Sequence, residues 1–420
     1  MIKKLLLLLL CLVLLLPPLA SCSGLPADDA VYAVKTSGNK SNDGFIYDVY
    51  ENNTAVITGY TGESRELSIP AKLDKYNVTA IGTEAFAENK TLSYITISEN
   101  VRRIEDKAFY NCQYLLRVDI GSSVVSVGNS AFSDCANLCE VRISEGLASI
   151  GESAFMNCFS LSFINFPSTL RSIKNDAFLY CSNIVEITLP AKIRELGTAA
   201  FAFCSSLSFI DLGGLTYIPD GAFEHCESLV KVNIGDKVTS IGIRAFNKCP
   251  NIEEVSIGRN VKSIGFSAFE ESKWLKNITE DFLIVGDGVL LLYTGDATSV
   301  TVPENVKYIS DAFSGNDNIV SVTVGGNVKT VGEYAFFGCV YLKNATIDGK
   351  VTTIGEKAFM GCESLITLSL SSSVREIGNM AFSGCSALAS VNFNGTRKDW
   401  NSIKIADGNS LLTGAEVKVK

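Results

Sequence analysis

The chain has 420 residues, 47% of them hydrophobic and 19% charged, with a formal net charge of −9. That composition supports a sizeable core and excludes a disordered chain, and the acidic balance argues against a nucleic-acid surface, which needs clustered Lys and Arg. A single histidine, His225, closes most routes to acid–base or imidazole–metal chemistry.

The first element, residues 1–21 (MIKKLLLLLLCLVLLLPPLAS), reads as a signal peptide: Lys3 and Lys4, an apolar run from Leu5 to Leu16, then small residues. The run is shorter than the roughly 20 apolar residues that span a bilayer. The ending Leu19-Ala20-Ser21-Cys22 resembles a bacterial lipobox, which implies cleavage before Cys22 and lipidation of its sulfur. Two or three acyl chains anchor stably, so the mature chain is expected to be exported and held on the cell surface through a linker-like tether over residues 22–43.

Residues 44–80 read as an N-terminal cap, with a hairpin about Glu51-Asn52-Asn53 covering the first sheet edge. Repetition then takes over. Ala-Phe recurs with Phe at 86, 109, 132, 155, 178, 201, 223, 246 and 269, then at 313, 336, 359 and 382. Each copy carries L-x-x-[IV]-x-[ILFV], as in "LSYITI" (92–97), and an apolar pair before Ala-Phe, as in "VTSIG" (238–242). Two apolar positions two apart point the same way from a strand. The Gly at 82, 151, 242 and 355 suits a turn with unusual backbone angles, and Ala-Phe-x-x-Cys reads as one short helical turn with Phe and Cys inward. A unit of about 23 residues buries its apolar face only against its neighbours, so the chain is a solenoid. Some fourteen turns at about 4.8 Å each make a rod or shallow arc roughly 65 Å long.

The phrase [IV]-G-x-x-A-F-x-x-C followed by L-x-x-[IV]-x-[IL]-P closely resembles the BspA-like leucine-rich repeats of bacterial surface proteins, over about residues 45–420. The resemblance implies a leucine-rich-repeat solenoid, α/β horseshoe-like but mostly β, of right-handed coils with a parallel sheet on one face and short helical turns on the other. It implies adhesion or protein binding at the cell surface, and no catalytic residues or cofactor. Glu105, Lys174, Pro219 and Ser310 depart from the Gly of the phrase, and the final Pro survives only at places such as Pro70, Pro167, Pro190 and Pro303.

The remaining boundaries follow from the period. Residues 81–272 form a first repeat block, 273–311 a degenerate repeat with a hairpin about Gly286-Asp287-Gly288, 312–392 a second block and 393–420 a C-terminal cap. The hairpin reads as a kink or a protruding rib, and Trp400, Ile403, Ile405 and Leu411 as the residues closing the last coil.

Ten cysteines stand three residues after the Phe, where other copies hold Asn89, Ser272 and Asn316. Because Asn and Ser cannot form disulfides, the column reads as packed, reduced thiols. Few or no bridges are expected, and no metal, since a column spreads ligands along a line. Cys139 reads as a further packed residue. The starts "GNSAF", "GESAF" and "GFSAF" lack the last Gly of a nucleophile elbow, and Glu253-Glu254 alternate faces on a strand.

Function is therefore expected on the outward third and fifth strand positions. The first block offers aromatics and both charges there; the second offers small polar groups. Tyr94, Arg117, Arg142, Phe163 and Phe209 are the candidate contact residues, with the two phenylalanines, roughly 10 Å apart, at the centre. The partner expected is an extracellular protein; the alternative is a glycan packed on Tyr94, Phe163 and Phe209. Membrane contact is expected only through the lipid at Cys22, and nucleic acid is not a partner.

Overall fold

A computed structural model describes residues 32–420; the signal segment and Cys22 lie outside them. The chain winds into a mostly β solenoid of about 16 turns, two more than the fourteen expected, because the segments at both ends also make coils.

A typical coil places a strand of up to five residues and a two-residue strand in separate parallel sheets. Arg117–Ile120 pairs with Tyr94–Ile97 before it and Glu140–Ile143 after it. Ser126–Val127 pairs likewise with Arg103–Ile104 and Ser149–Ile150. Alternation sets the faces: Val118 and Ile120 are buried while Arg117 and Asp119 look outward.

The Ala-Phe segment is not a helical turn. Residues two before and two after the Phe are left-handed, as at Lys107 (φ 54°) and Asn111 (φ 56°). The N–H groups of Lys107, Phe109 and Asn111 donate to the carbonyls of Asn129, Ala131 and Ser133 in the next coil at 2.7–2.8 Å. Those of Ala108, Tyr110 and Cys112 donate three residues back at 2.9–3.4 Å. Alternating left-handed residues thus let the segment satisfy its backbone partly across coils, which a helix does not.

The repeat glycines have another role than the one expected. Gly82, Gly151, Gly242 and Gly355 are not left-handed; a Cβ on Gly151 would lie 2.6 Å from the carbonyl carbon of Gly128 in the coil before. The column permits close stacking of backbones. Inside, the Phe rings stack face to face, Phe109 on Phe132 at 5.0 Å and 2°, from Phe86 to Phe269 and again from Phe313 to Phe382.

The segment read as a tether contains a strand. Val34–Lys40 pairs antiparallel with Phe45–Tyr50, which forms the expected hairpin with Thr54–Tyr60. Its side chains are nearly all exposed, so backbone pairing holds it and no apolar alternation announces it. Thr54–Tyr60 then pairs parallel with Tyr76–Ile81, joining the cap to the coils.

At the degenerate repeat, Phe282–Val285 and Val289–Tyr293 form an antiparallel hairpin, and the second strand continues the short-strand sheet beside Tyr308–Ile309. Val289, Leu290 and Leu291 are buried, so the hairpin is built into the stack and does not protrude. Tyr293 stands between Phe282 and Phe313 at 5.0 and 5.2 Å, taking the missing Phe's place. On the turn side no Ala-Phe segment fills this coil, and its neighbours meet instead. Ser267 N–H donates to the Asp311 carboxylate at 2.7 Å, the Ser310 hydroxyl to the Ile264 carbonyl at 2.7 Å, and Phe266 stacks on Tyr334 at 4.4 Å.

The C-terminal segment continues both sheets, with Lys404–Ile405 and Glu416–Val419 pairing parallel to the strands before them. Trp400, Ile403 and Leu412 are buried, whereas Leu411 is exposed. The helix Ser410–Gly414 turns the neighbouring leucine inward.

Candidate functional site

The outward row of the first block is formed by register. Tyr94 stands opposite Arg117, Arg117 opposite Glu140, and Glu140 opposite Phe163; Glu186 then stands opposite Phe209, and Lys231 opposite Glu254. One sheet thus brings Tyr94, Arg117, Arg142 and Phe163 onto one face, and Phe209 occupies the equivalent outward position on the separate pair it forms with the Glu186 strand. Tyr94, Phe163 and Phe209 are 44, 50 and 53% exposed, a large apolar exposure beside inward side chains such as the buried Ile95 and Ile210 of the same strands.

The two arginines are already engaged. Arg117 forks onto Asp119 at 2.9 and 2.7 Å and reaches Glu140 at 3.7 Å, while Arg142 bonds Glu140 at 2.7 Å. The bond to Asp119 leads the interactions that hold Arg117 in its charged form, above its ordinary range. Arg117, Asp119, Glu140, Arg142, Phe163 and Asn165 line a shallow concavity of about 620 Å³. Tyr94 lies one coil outside it, and Phe209 two coils beyond Phe163.

Two outward positions differ from expectation. The Asn165 amide accepts from the Ile143 N–H at 2.9 Å and donates to its carbonyl at 2.7 Å; it replaces strand pairing where Phe163–Ile164 stops short, so it is structural. Asn277 caps the helix Lys273–Lys276 instead of lying in a strand. Cys139, read as packed, is exposed, and its thiol donates to the Leu116 carbonyl at 3.2 Å; it sits just before the strand Glu140–Ile143, and the adjacent Leu138 takes the inward position.

Sequence reading missed a second surface feature. Tyr180, Phe203 and His225, all left-handed at φ 60–64°, stack ring on ring at 4.5 and 4.3 Å. Bulky residues are costly in that conformation, and the second block has Gly315, Gly338, Gly361 and Gly384 there. Following the column two places after the Phe would have exposed the contrast. Among the described residues no three His, Cys, Asp or Glu side chains converge as a metal cage would require.

The model of the BspA type leucine rich repeat region (6 copies) matches residues 64–185, 171–282 and 291–405. Among solved structures, a leucine-rich repeat protein from Bacteroides ovatus is 21% identical with a TM-score of 0.50, covering 91% of this chain and 100% of its own. A leucine rich cell surface protein from Faecalibacterium prausnitzii is 26% identical over 87% of this chain and 97% of its own, TM-score 0.42. The leucine rich repeat protein of T. pallidum is 29% identical over 51% of this chain and 91% of its own, TM-score 0.40. No curated protein matches. With the matched segments spanning most of the repeats, and the stacked coils of the Bacteroides ovatus protein agreeing in fold, the chain belongs to the BspA type leucine-rich repeat family.

Proposed function

We propose that this chain is a non-catalytic scaffold, exported and lipid-anchored through Cys22 on the bacterial surface, that binds an extracellular protein through the outward sheet face of its first block. The observation that carries the reading is the pair Phe163 and Phe209, half-exposed on the same row two coils apart, when nearly every other repeated apolar position is buried. Exposed aromatics beside satisfied charges make the centre and rim of a protein interface. Arg117 and Arg142, tied to their carboxylates, form the rim; Tyr94 extends it. The second block presents Ser321, Asn344, Thr367 and Ser390 on the same row and serves as a spacer.

The test is capture of extracellular matrix proteins by the immobilised full chain, compared with the double variant F163S/F209S and with S321A/T367A. Loss confined to the first variant supports the face. Equal losses, or capture unaffected by either, contradict it; signal only on a glycan array favours sugar recognition.

A further inference from the structure

The row that carries Phe163 and Phe209 also carries a carboxylate between them. Glu186 occupies the coil between the two phenylalanines, in register with Phe209, and Thr188 on its strand faces Asp211. Glu186, Asp211 and both rings are exposed.

Every other carboxylate close by on this face is neutralised by the chain itself. Glu140 and Asp119 hold Arg117 and Arg142, and Glu254 holds Lys231 at 2.7 Å. Among the described residues no cation pairs with Glu186 or Asp211; Asp211 spends one oxygen on the Gly213 N–H at 2.9 Å. Lys231, the nearest basic position along the row, is drawn away to Glu254. The sheet therefore leaves two negative charges unmatched where its aromatic surface is largest.

Building on the protein-binding reading above, we propose that the Phe163–Glu186–Phe209 segment with Asp211 receives an arginine-bearing stretch of the protein partner. A guanidinium lies flat on an aromatic ring and forks onto a carboxylate at the same time, whereas an ammonium does only part of this. The chain already uses the carboxylate half of that pairing two coils before Phe163, where Arg117 forks onto Asp119. The partner's arginine completes in trans, at Glu186, the pattern the sheet completes in cis at Glu140.

The experiment titrates the full chain, to millimolar concentration, with a labelled octapeptide of alternating serine and arginine. Controls are the same peptide with citrulline, which keeps the shape without the charge, and with lysine. Binding of the arginine peptide roughly tenfold tighter than the citrulline peptide is expected, with lysine between. E186Q removes that preference, D211N weakens it, and E376Q, on the other sheet, leaves it unchanged; thermal melts of all three verify folding. No preference for arginine, or a preference that survives E186Q, overturns the inference. A captured matrix protein that is lost by F163S/F209S but held equally by E186Q overturns the arginine site alone and leaves the protein-binding face standing.

Discussion

The Cys112 thiol donates a hydrogen bond to the Phe86 carbonyl oxygen, 3.0 Å away and one coil earlier. The same bond recurs down the column, from Cys135 to Phe109 through Cys385 to Phe359. Asn89 and Asn316 stand in the first coil of each block, where the coil before has no Ala-Phe carbonyl to receive a thiol. Their amide oxygens instead accept from their own loops, Leu92 N–H at 2.8 Å and Ile319 N–H at 3.0 Å. Ser272 does lie above an Ala-Phe coil, and there the hydroxyl serves the next segment instead, capping the helix Lys273–Lys276 by accepting from the Leu275 N–H at 3.3 Å.

Burial pushes the thiols of Cys158, Cys181 and Cys204 far above their ordinary range, so they carry almost no thiolate at neutral pH. Among the described cysteines, a thiol reagent at pH 8 should label Cys139 in the native chain and the other ten only after denaturation. Replacing Cys158 by Ala should cost about 1–2 kcal/mol in chemical denaturation and by Ser less, because a hydroxyl still donates to Phe132. Rapid native labelling of several column thiols would contradict their burial.

The inner and outer phenylalanines should separate cleanly in stability. Phe155, stacked between Phe132 and Phe178 at 5.2 Å, should cost about 3–5 kcal/mol when changed to Ala. Changing the outward Phe163 to Ser should alter stability by about 0.5 kcal/mol or less. Denaturant midpoints of F155A and F163S check the contrast.

Two backbone columns predict opposite responses to the smallest changes. G151A forces a methyl against the Gly128 backbone and should destabilise by about 1–3 kcal/mol. K248G, at a left-handed and exposed position (φ 55°), should be neutral or stabilising by up to about 1 kcal/mol. Thermal melts of the two variants decide it.

At the seam, burial raises the Asp311 carboxyl above its ordinary range, and the Glu270 charge adds to the rise, against the Ser267 N–H, which favours the anion. A carboxyl raised in the folded state contributes stability that is full below the unfolded value, roughly 4, and is lost as pH rises through the folded value. D311N keeps an acceptor for Ser267 without that loss, so its stability relative to the parent should grow as pH rises through this window. D311A leaves the Ser267 donor unpaired and should cost about 1–3 kcal/mol. Denaturant curves from pH 3 to 7 distinguish the two.

The anchor has its own measurement. Cells fed a labelled fatty acid should label the parent chain and not C22A, and the variant should appear in the culture medium. Equal labelling of both would contradict lipidation at Cys22.

Much of the architecture is legible in the sequence because stacking repeats the same side chain in the same environment. The Phe, Leu and Cys columns declare both period and inside face, and Tyr94, Phe163 and Phe209 are outward for the same reason. What the sequence conceals are features carried by backbone or by contacts between coils. The left-handed column of Lys107 has no common residue type, the Val34–Lys40 strand buries no face, and the Asp311–Ser267 bond joins residues 44 apart across a missing segment. Ion pairing is only half concealed: Arg117 with Asp119 and Glu140 with Arg142 stand two apart on one strand face, where alternation alone brings them together, whereas the reach of Arg117 to Glu140 depends on register between strands.

The most direct measurement is side-chain oxidation footprinting of the full chain, alone and bound to a captured protein partner. Oxidation of Phe163 and Phe209 should fall on binding, while Tyr341, equally exposed in the second block at 56%, reacts as before. Unchanged oxidation of both phenylalanines, with protection appearing at Tyr341 or elsewhere in the second block, would contradict the account.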